Sequence, residues 1–174
     1  MELNEKNNDG NYPILRAIYN NNIEIVKLLI VYANKHQIIL KLNEIYINNP
    51  LYRAIYKDNI EMVKLLIYYA NQHQIILEVN KKNKDGQYPL FLAISRNYIE
   101  IIKLLMEYAN HHQLILELNE KDKDGYYPLY SAISKNNIEM VKLLIEYANQ
   151  HQLILELNEK NKDGQYPPYF NIKF

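Results

Sequence analysis

An all-α solenoid of about four helix–turn–helix units with short projecting β-hairpins is the fold class that this 174-residue sequence predicts. Three observations carry the prediction. The chain repeats itself at a fixed period, each copy holds apolar residues at helical spacing, and each copy is punctuated by the same turn residues. The stretch NQHQLILELNEK at 149–160 shows the repetition most plainly, with NHHQLILELNEK, NQHQIILEVNKK and NKHQIILKLNEI at 110–121, 71–82 and 34–45.

Prolines set the phase. Pro50, Pro89, Pro128 and Pro167 stand 39 residues apart, and Pro13 precedes Pro50 by 37. Ala17, Ala54, Ala93 and Ala132 follow the first four at a constant offset of four. One domain is therefore expected, with repeats at approximately 3–41, 42–78, 79–117 and 118–156 and a partial copy over 157–174. The second copy has lost two residues where KDKDGYYP becomes IYINNP.

Local chemistry places the elements of each unit. The pairs Asp9-Gly10, Asp85-Gly86, Asp124-Gly125 and Asp163-Gly164 signal turns, because glycine reaches positive φ without steric cost. The proline that follows suits the first position of a helix, where its missing N–H is not needed. Leu129, Ala132 and Ile133 then share one face of a short first helix. Asn21, Asp58, Asn97 and Asn136 are expected to stop it, since Asn and Asp tolerate left-handed geometry.

The second helix opens with Asn22, Asn59 and Asn137 as side-chain caps, and Glu24, Glu61, Glu100 and Glu139 favour its positive end. Ile138, Val141, Leu144, Ile145 and Ala148 keep the spacing of a buried stripe. Lys27, Lys64, Lys103 and Lys142 fall on the side expected to face water.

These residues resemble a known family. DGYYPLYSAISKNNIEMVKLLIEYAN is similar to an ankyrin repeat, matching its T-P-L-H-x-A core in phase at Pro128, Leu129 and Ala132. Val141, Lys142, Leu143 and Leu144 fall on the family's IVKLL-type run. The resemblance covers essentially the whole chain, four times over. It departs at the family's Thr, replaced by Tyr12, Tyr88, Tyr127, Tyr166 or Asn49, and at its His, replaced by Leu15, Tyr52, Phe91, Tyr130 and Tyr169. Ala33, Ala70, Ala109 and Ala148 stand for the glycine that ends the second helix. The family unit has 33 residues, so the 39-residue period here carries six more, roughly His151 to Glu156 in the last full copy. Leu153, Leu155 and Leu157 alternate with Ile154 and Glu156, which favours a short strand paired with the returning GYYP segment; a longer helix also fits the stripe Ile145, Ala148, Gln152, Leu155.

Composition narrows the function classes. Nearly half the residues are apolar, enough for a core, and twenty acids balance twenty bases. Zero formal charge argues against nucleic acid and anionic membrane as partners. The absence of cysteine excludes disulfides, thiolate metal sites and a cysteine nucleophile. The polar start MELNEKNNDG is unlike a signal peptide, and the longest apolar runs are too short to span a bilayer, so a cytoplasmic, intracellular location is expected.

Candidate chemistry is thin. His36, His73, His112 and His151 recur one per unit, with His111 beside one, but packed helices sit about 8–10 Å apart, too far for imidazoles to share one zinc. Glu120 to Gly125 mimics the start of a calcium loop, yet Ser131 stands where the bidentate acid belongs and Pro128 interrupts it. Ser95, Ser131 and Ser134 have no histidine placed beside them. No enzyme, metal or cofactor is expected.

What the resemblance implies is a protein-interaction scaffold. Ankyrin arrays bind protein or peptide on a concave side made of hairpin tips and exposed first-helix positions. Carried over, the tips include Asn11, Asn48, Gln87, Tyr126 and Gln165, and the helix positions include Tyr19, Tyr56 with Lys57, Ser95 with Arg96, and Ser134 with Lys135. Arg16, Arg53 and Arg96 fall in the same helices, and Arg and Tyr are enriched at binding hot spots. The expected partner is a protein or peptide with a bias toward acidic segments. The chain is expected to be a monomer, with end-to-end stacking into an array as the alternative.

Overall fold

The computed structural model describes residues 3–8, 10–43 and 49–168. Asn48, the sequence Ile45-Tyr46-Ile47 of the shortened hairpin and the apolar tail Tyr169, Phe170, Ile172 and Phe174 lie outside the described residues. Two compact units divide at residues 78 and 79. Each holds two helix–turn–helix repeats.

In the first unit, α1 (Pro13–Tyr19) and α2 (Ile23–Lys35) form one repeat, and α3 (Pro50–Tyr56) and α4 (Ile60–Gln72) the next. In the second, α5 (Pro89–Ser95) pairs with α6 (Ile99–His111), and α7 (Pro128–Ser134) with α8 (Ile138–Gln150). First helices pack on first helices within each unit, α1 on α3 and α5 on α7.

The expected boundaries have the expected causes. Each short helix opens on its proline. Asn22, Asn59 and Asn137 accept the N–H of Ile25, Met62 and Met140. Tyr98, in the equivalent place before α6, makes no side-chain cap. Asn21, Asp58, Asn97 and Asn136 take φ of 55°, 52°, 65° and 52°, which ends the first helices. The second helices run past the alanines that stand for the family's glycine and end at their histidine caps, as α8 does at His151; Gln37, Gln74, Gln113 and Gln152 next to them are left-handed, at φ of 55–56°. The Gln152 and Leu153 N–H groups then return to Asn149 and Ala148 carbonyls, the double bond of a Schellman cap.

The core is the inner stripe of every helix. Tyr69, Tyr88 and Tyr127 are fully buried with Phe91 and Leu105, so aromatic packing does replace the family's polar pair. Tyr88 sits 5.9 Å from Phe91, and Tyr127 5.8 Å from Tyr130. One stripe position was misplaced. Ile138 is 58% exposed, whereas Val141, Leu144 and Ala148 are buried. As the first residue of α8 it lies one turn ahead of the packed stripe.

The strand expectation is corrected. Among the described residues there are eight helices and no strand. α8 stops at Gln150 with His151 as its cap, so the longer helix is not found either. Residues 153–157 run without regular structure, and no ladder joins them to the returning segment. Their backbone groups are taken by side chains instead. The Asn119 amide donates to the Ile154 carbonyl at 2.7 Å, and its oxygen accepts the Glu156 N–H at 3.0 Å. Asn80 does the same to Ile115 and Glu117, Asn43 to Ile76 and Glu78, and Asn4 to Ile39 and Lys41. A two-bond asparagine clamp thus does the work of a ladder, once per repeat.

Candidate interaction surface

The first helices bury Leu, Ala and Ile inward, so the positions between point outward. In the first unit this brings four of the predicted residues together. The Arg53 guanidinium lies over the Tyr19 ring, 4.4 Å from its centroid, and 5.9 Å from the Tyr56 ring. Arg16 reaches the Tyr19 ring at 5.8 Å. Tyr19 and Tyr56 stay 41% and 43% exposed, so the cluster is a surface feature and not core. Lys57 caps α3 beside it, exposed. A cation held over an aromatic face gains about 0.5–1 kcal/mol at an exposed site, which fixes both side chains in place. A groove of about 340 Å³ adjoins, lined by Glu5, Lys6, Asn7, Asn11, Tyr12, Pro13 and Arg16.

In the second unit the predicted residues occupy equivalent places in successive repeats. Gln87 and Tyr126 close the hairpin turns, and both are half-buried. Their N–H groups donate to Asn83 and Asp122 side chains, and their carbonyls accept the Asn83 and Asp122 N–H groups. The Tyr126 ring meets Tyr130 edge-on at 5.0 Å. Burial, with Tyr126 next, pushes the Tyr130 hydroxyl above its ordinary range. Arg96 and Lys135 cap α5 and α7 in the exposed layer. Ser95 spends its hydroxyl on the Leu92 carbonyl at 2.9 Å, and Ser134 is exposed.

The turns are fastened to each other. Lys123 donates its backbone N–H to the Asp85 carbonyl and its ammonium to the Asp85 carboxylate at 2.8 Å. That hydrogen bond holds the Asp85 carboxyl below its usual range and raises Lys123. Asp122, an oxygen of the calcium-like stretch, accepts the N–H groups of Asp124 and Tyr126. Gly125, at φ +84°, has Asn161 Cα only 2.9 Å from where a Cβ would stand.

The histidine column has structural work. His73 lies 2.9 Å through Nε2 from Asn34 Oδ1, and His151 2.7 Å from Asn110 Oδ1, each reaching back one repeat. Each imidazole also stacks on a tyrosine four residues earlier, as His73 does on Tyr69 at 4.2 Å and His151 on Tyr147 at 4.3 Å. Burial, and then His111, push His112 below the usual imidazole value. Among the described residues no cluster of three metal-ligating side chains forms, and no helix is long and apolar enough to cross a membrane.

Sequence reasoning missed the asparagine clamps. Asn43, Asn80 and Asn119 stand at one position of the period, which is the signal the sequence carries, but hairpin asparagines pass as turn residues. A family model described as ankyrin repeats (3 copies) matches residues 1–75 and 72–154. No curated protein matches the chain.

Proposed function

The chain belongs to the ankyrin-repeat family, whose members are in general non-catalytic protein–protein interaction modules, and on that premise we propose that it is an adaptor binding a protein or peptide through the exposed side of its first helices. The Arg16–Tyr19–Arg53–Tyr56 cluster carries the reading. It combines pre-ordered aromatic area with two guanidinium groups, the residue types that dominate binding hot spots. Two arginines with Lys57 at one end favour carboxylates, so the partner is an extended segment rich in Asp or Glu. Gln87, Ser95, Arg96, Tyr126, Ser134 and Lys135 supply the varied contacts of the second unit, because these positions differ between repeats while the second helices barely change.

An array of acidic and neutral peptides tests this. The protein should retain acidic peptides, and the triple variant Tyr19→Ala, Arg53→Ala, Tyr56→Ser should lose several kcal/mol of that affinity in sum. Equal retention by wild type and triple variant, with helical content unchanged, would sink the assignment.

A further inference from the structure

We propose that the chain joins head to tail with a second copy of itself, the α1–α2 repeat of one copy taking the berth beside α7 and α8 of another. The observation is a mismatch in burial at two faces. An open groove of about 680 Å³ runs along α7 and α8, lined among others by Val141, Ile145, Leu153, Leu155 and Leu157. Leu157 is 60% exposed there, whereas its counterparts Leu118, Val79, Leu42 and Leu3 are at most 2% exposed. On the other face, Ile25 and Tyr32 of α2 are 46% and 36% exposed, although Met62 and Tyr69, and Met140 and Tyr147, are buried at the same positions.

The joints inside each unit show that these two faces fit. Tyr147 accepts the Leu116 N–H at 3.1 Å and donates to the Leu114 carbonyl at 3.3 Å; Tyr69 accepts the Leu40 N–H at 3.0 Å. One period on, Leu153 and Leu155 hold the places of Leu114 and Leu116 in the repeat, and both line the open groove. Tyr32 is the tyrosine of the repeat that would follow. Its hydroxyl reaches no partner among the described residues, and its ring stacks on His36 at 4.3 Å as Tyr147 does on His151.

The berth is occupied by a replaceable arm. LNEKNKDGQYP at 157–167 repeats LNEKNNDGNYP at 3–13, identical at nine of eleven positions. The resident arm leaves Leu157 and Tyr166 60% and 52% exposed, while the 3–13 arm buries Leu3 and Tyr12 to 1% and 4%. It holds on through the Lys162 N–H to the Asp124 carbonyl and through Glu159 to Lys121, both at 2.9 Å. Asn8 and Glu5 bring the same groups from the incoming copy. The resident arm is anchored by its turn, where Asn161 is buried beside Gly125, and the exchange trades its exposed Leu157 and Tyr166 for an equivalent arm that carries two helices.

Paired variants test the joint in the full chain. Ile25→Asp disables only the incoming face, and Leu155→Asp only the berth. Wild type should gain mass with concentration in sedimentation. Each variant, with helical content checked by circular dichroism, should stay at one-chain mass; their equimolar mixture should form a two-chain species and nothing larger. Tyr32→Phe should weaken association about tenfold or more by removing the hydroxyl that accepts one hydrogen bond and donates another. Asn161→Ala, which loosens the resident arm by removing the acceptor of the Asp163 and Gln165 N–H groups, should strengthen it. One-chain mass for wild type and Asn161→Ala at every concentration, or a mixture that stays at one-chain mass, overturns the proposal.

Discussion

Gly125 and Gly164 have the same backbone conformation, φ +84° and +75°, and different surroundings. An added Cβ at Gly164 meets nothing within 4 Å, whereas at Gly125 it would press on the backbone of Asn161 and Lys162. Gly164→Ala should therefore cost only the left-handed strain, about 1–2 kcal/mol. Gly125→Ala should cost more, because the neighbouring turn must also move. Urea unfolding of the two variants measures the gap, and equal losses would mean that the turns are not packed as closely as the geometry says. Both glycines were legible in the sequence as turn formers, because Asp-Gly encodes a local dihedral. The second constraint was not legible, since it comes from a residue 36 positions away that only stacking brings near. The Arg–Tyr cluster stands between these cases: helix periodicity places Arg16, Tyr19, Arg53 and Tyr56 outward, but the stacking of Arg53 on Tyr19 needs the α1–α3 packing.

At the scale of the element, helices were readable and the segments between them were not. Proline at the first position and Asn or Asp at the left-handed stop are strong local signals, and both operate here. Glutamine in the left-handed position is not such a signal, but Ala148 in place of the family's glycine does signal that the helix runs on to His151. The alternation of Leu153, Leu155 and Leu157 reads as a strand because a strand and an unpaired extended segment share the same period. What distinguishes them is the partner of the backbone, here an asparagine side chain. Asn119→Asp tests that substitution of side chain for ladder. The carboxylate keeps an acceptor for the Glu156 N–H but turns an oxygen toward the Ile154 carbonyl, where the amide donated. The loss of one hydrogen bond and the new repulsion should cost about 1–3 kcal/mol. Thermal unfolding reads it, and a stability equal to wild type would show that the clamp is incidental.

Across the whole molecule, five tyrosines buried among the described residues, Tyr69, Tyr88, Tyr127, Tyr130 and Tyr147, tie the fold to alkaline pH. Tyr69, Tyr88, Tyr127, Tyr130 and Tyr147 all have hydroxyls raised above the ordinary value of 10.0, burial being the largest cause in each. Their neutral form is favoured in the fold, so the stability they contribute is fully present below the unfolded value near 10 and is lost as pH rises toward the folded values. Each adds up to about 1.4 kcal/mol per pH unit to that loss, because the unfolded chain releases a proton that the folded chain keeps. Tyrosinate absorbance followed against helical circular dichroism should therefore link the ionisation of these five to unfolding. The five should ionise in one steep step that coincides with the loss of helix. Ionisation of these five in a shallow curve, with helicity retained, would contradict their burial in the core.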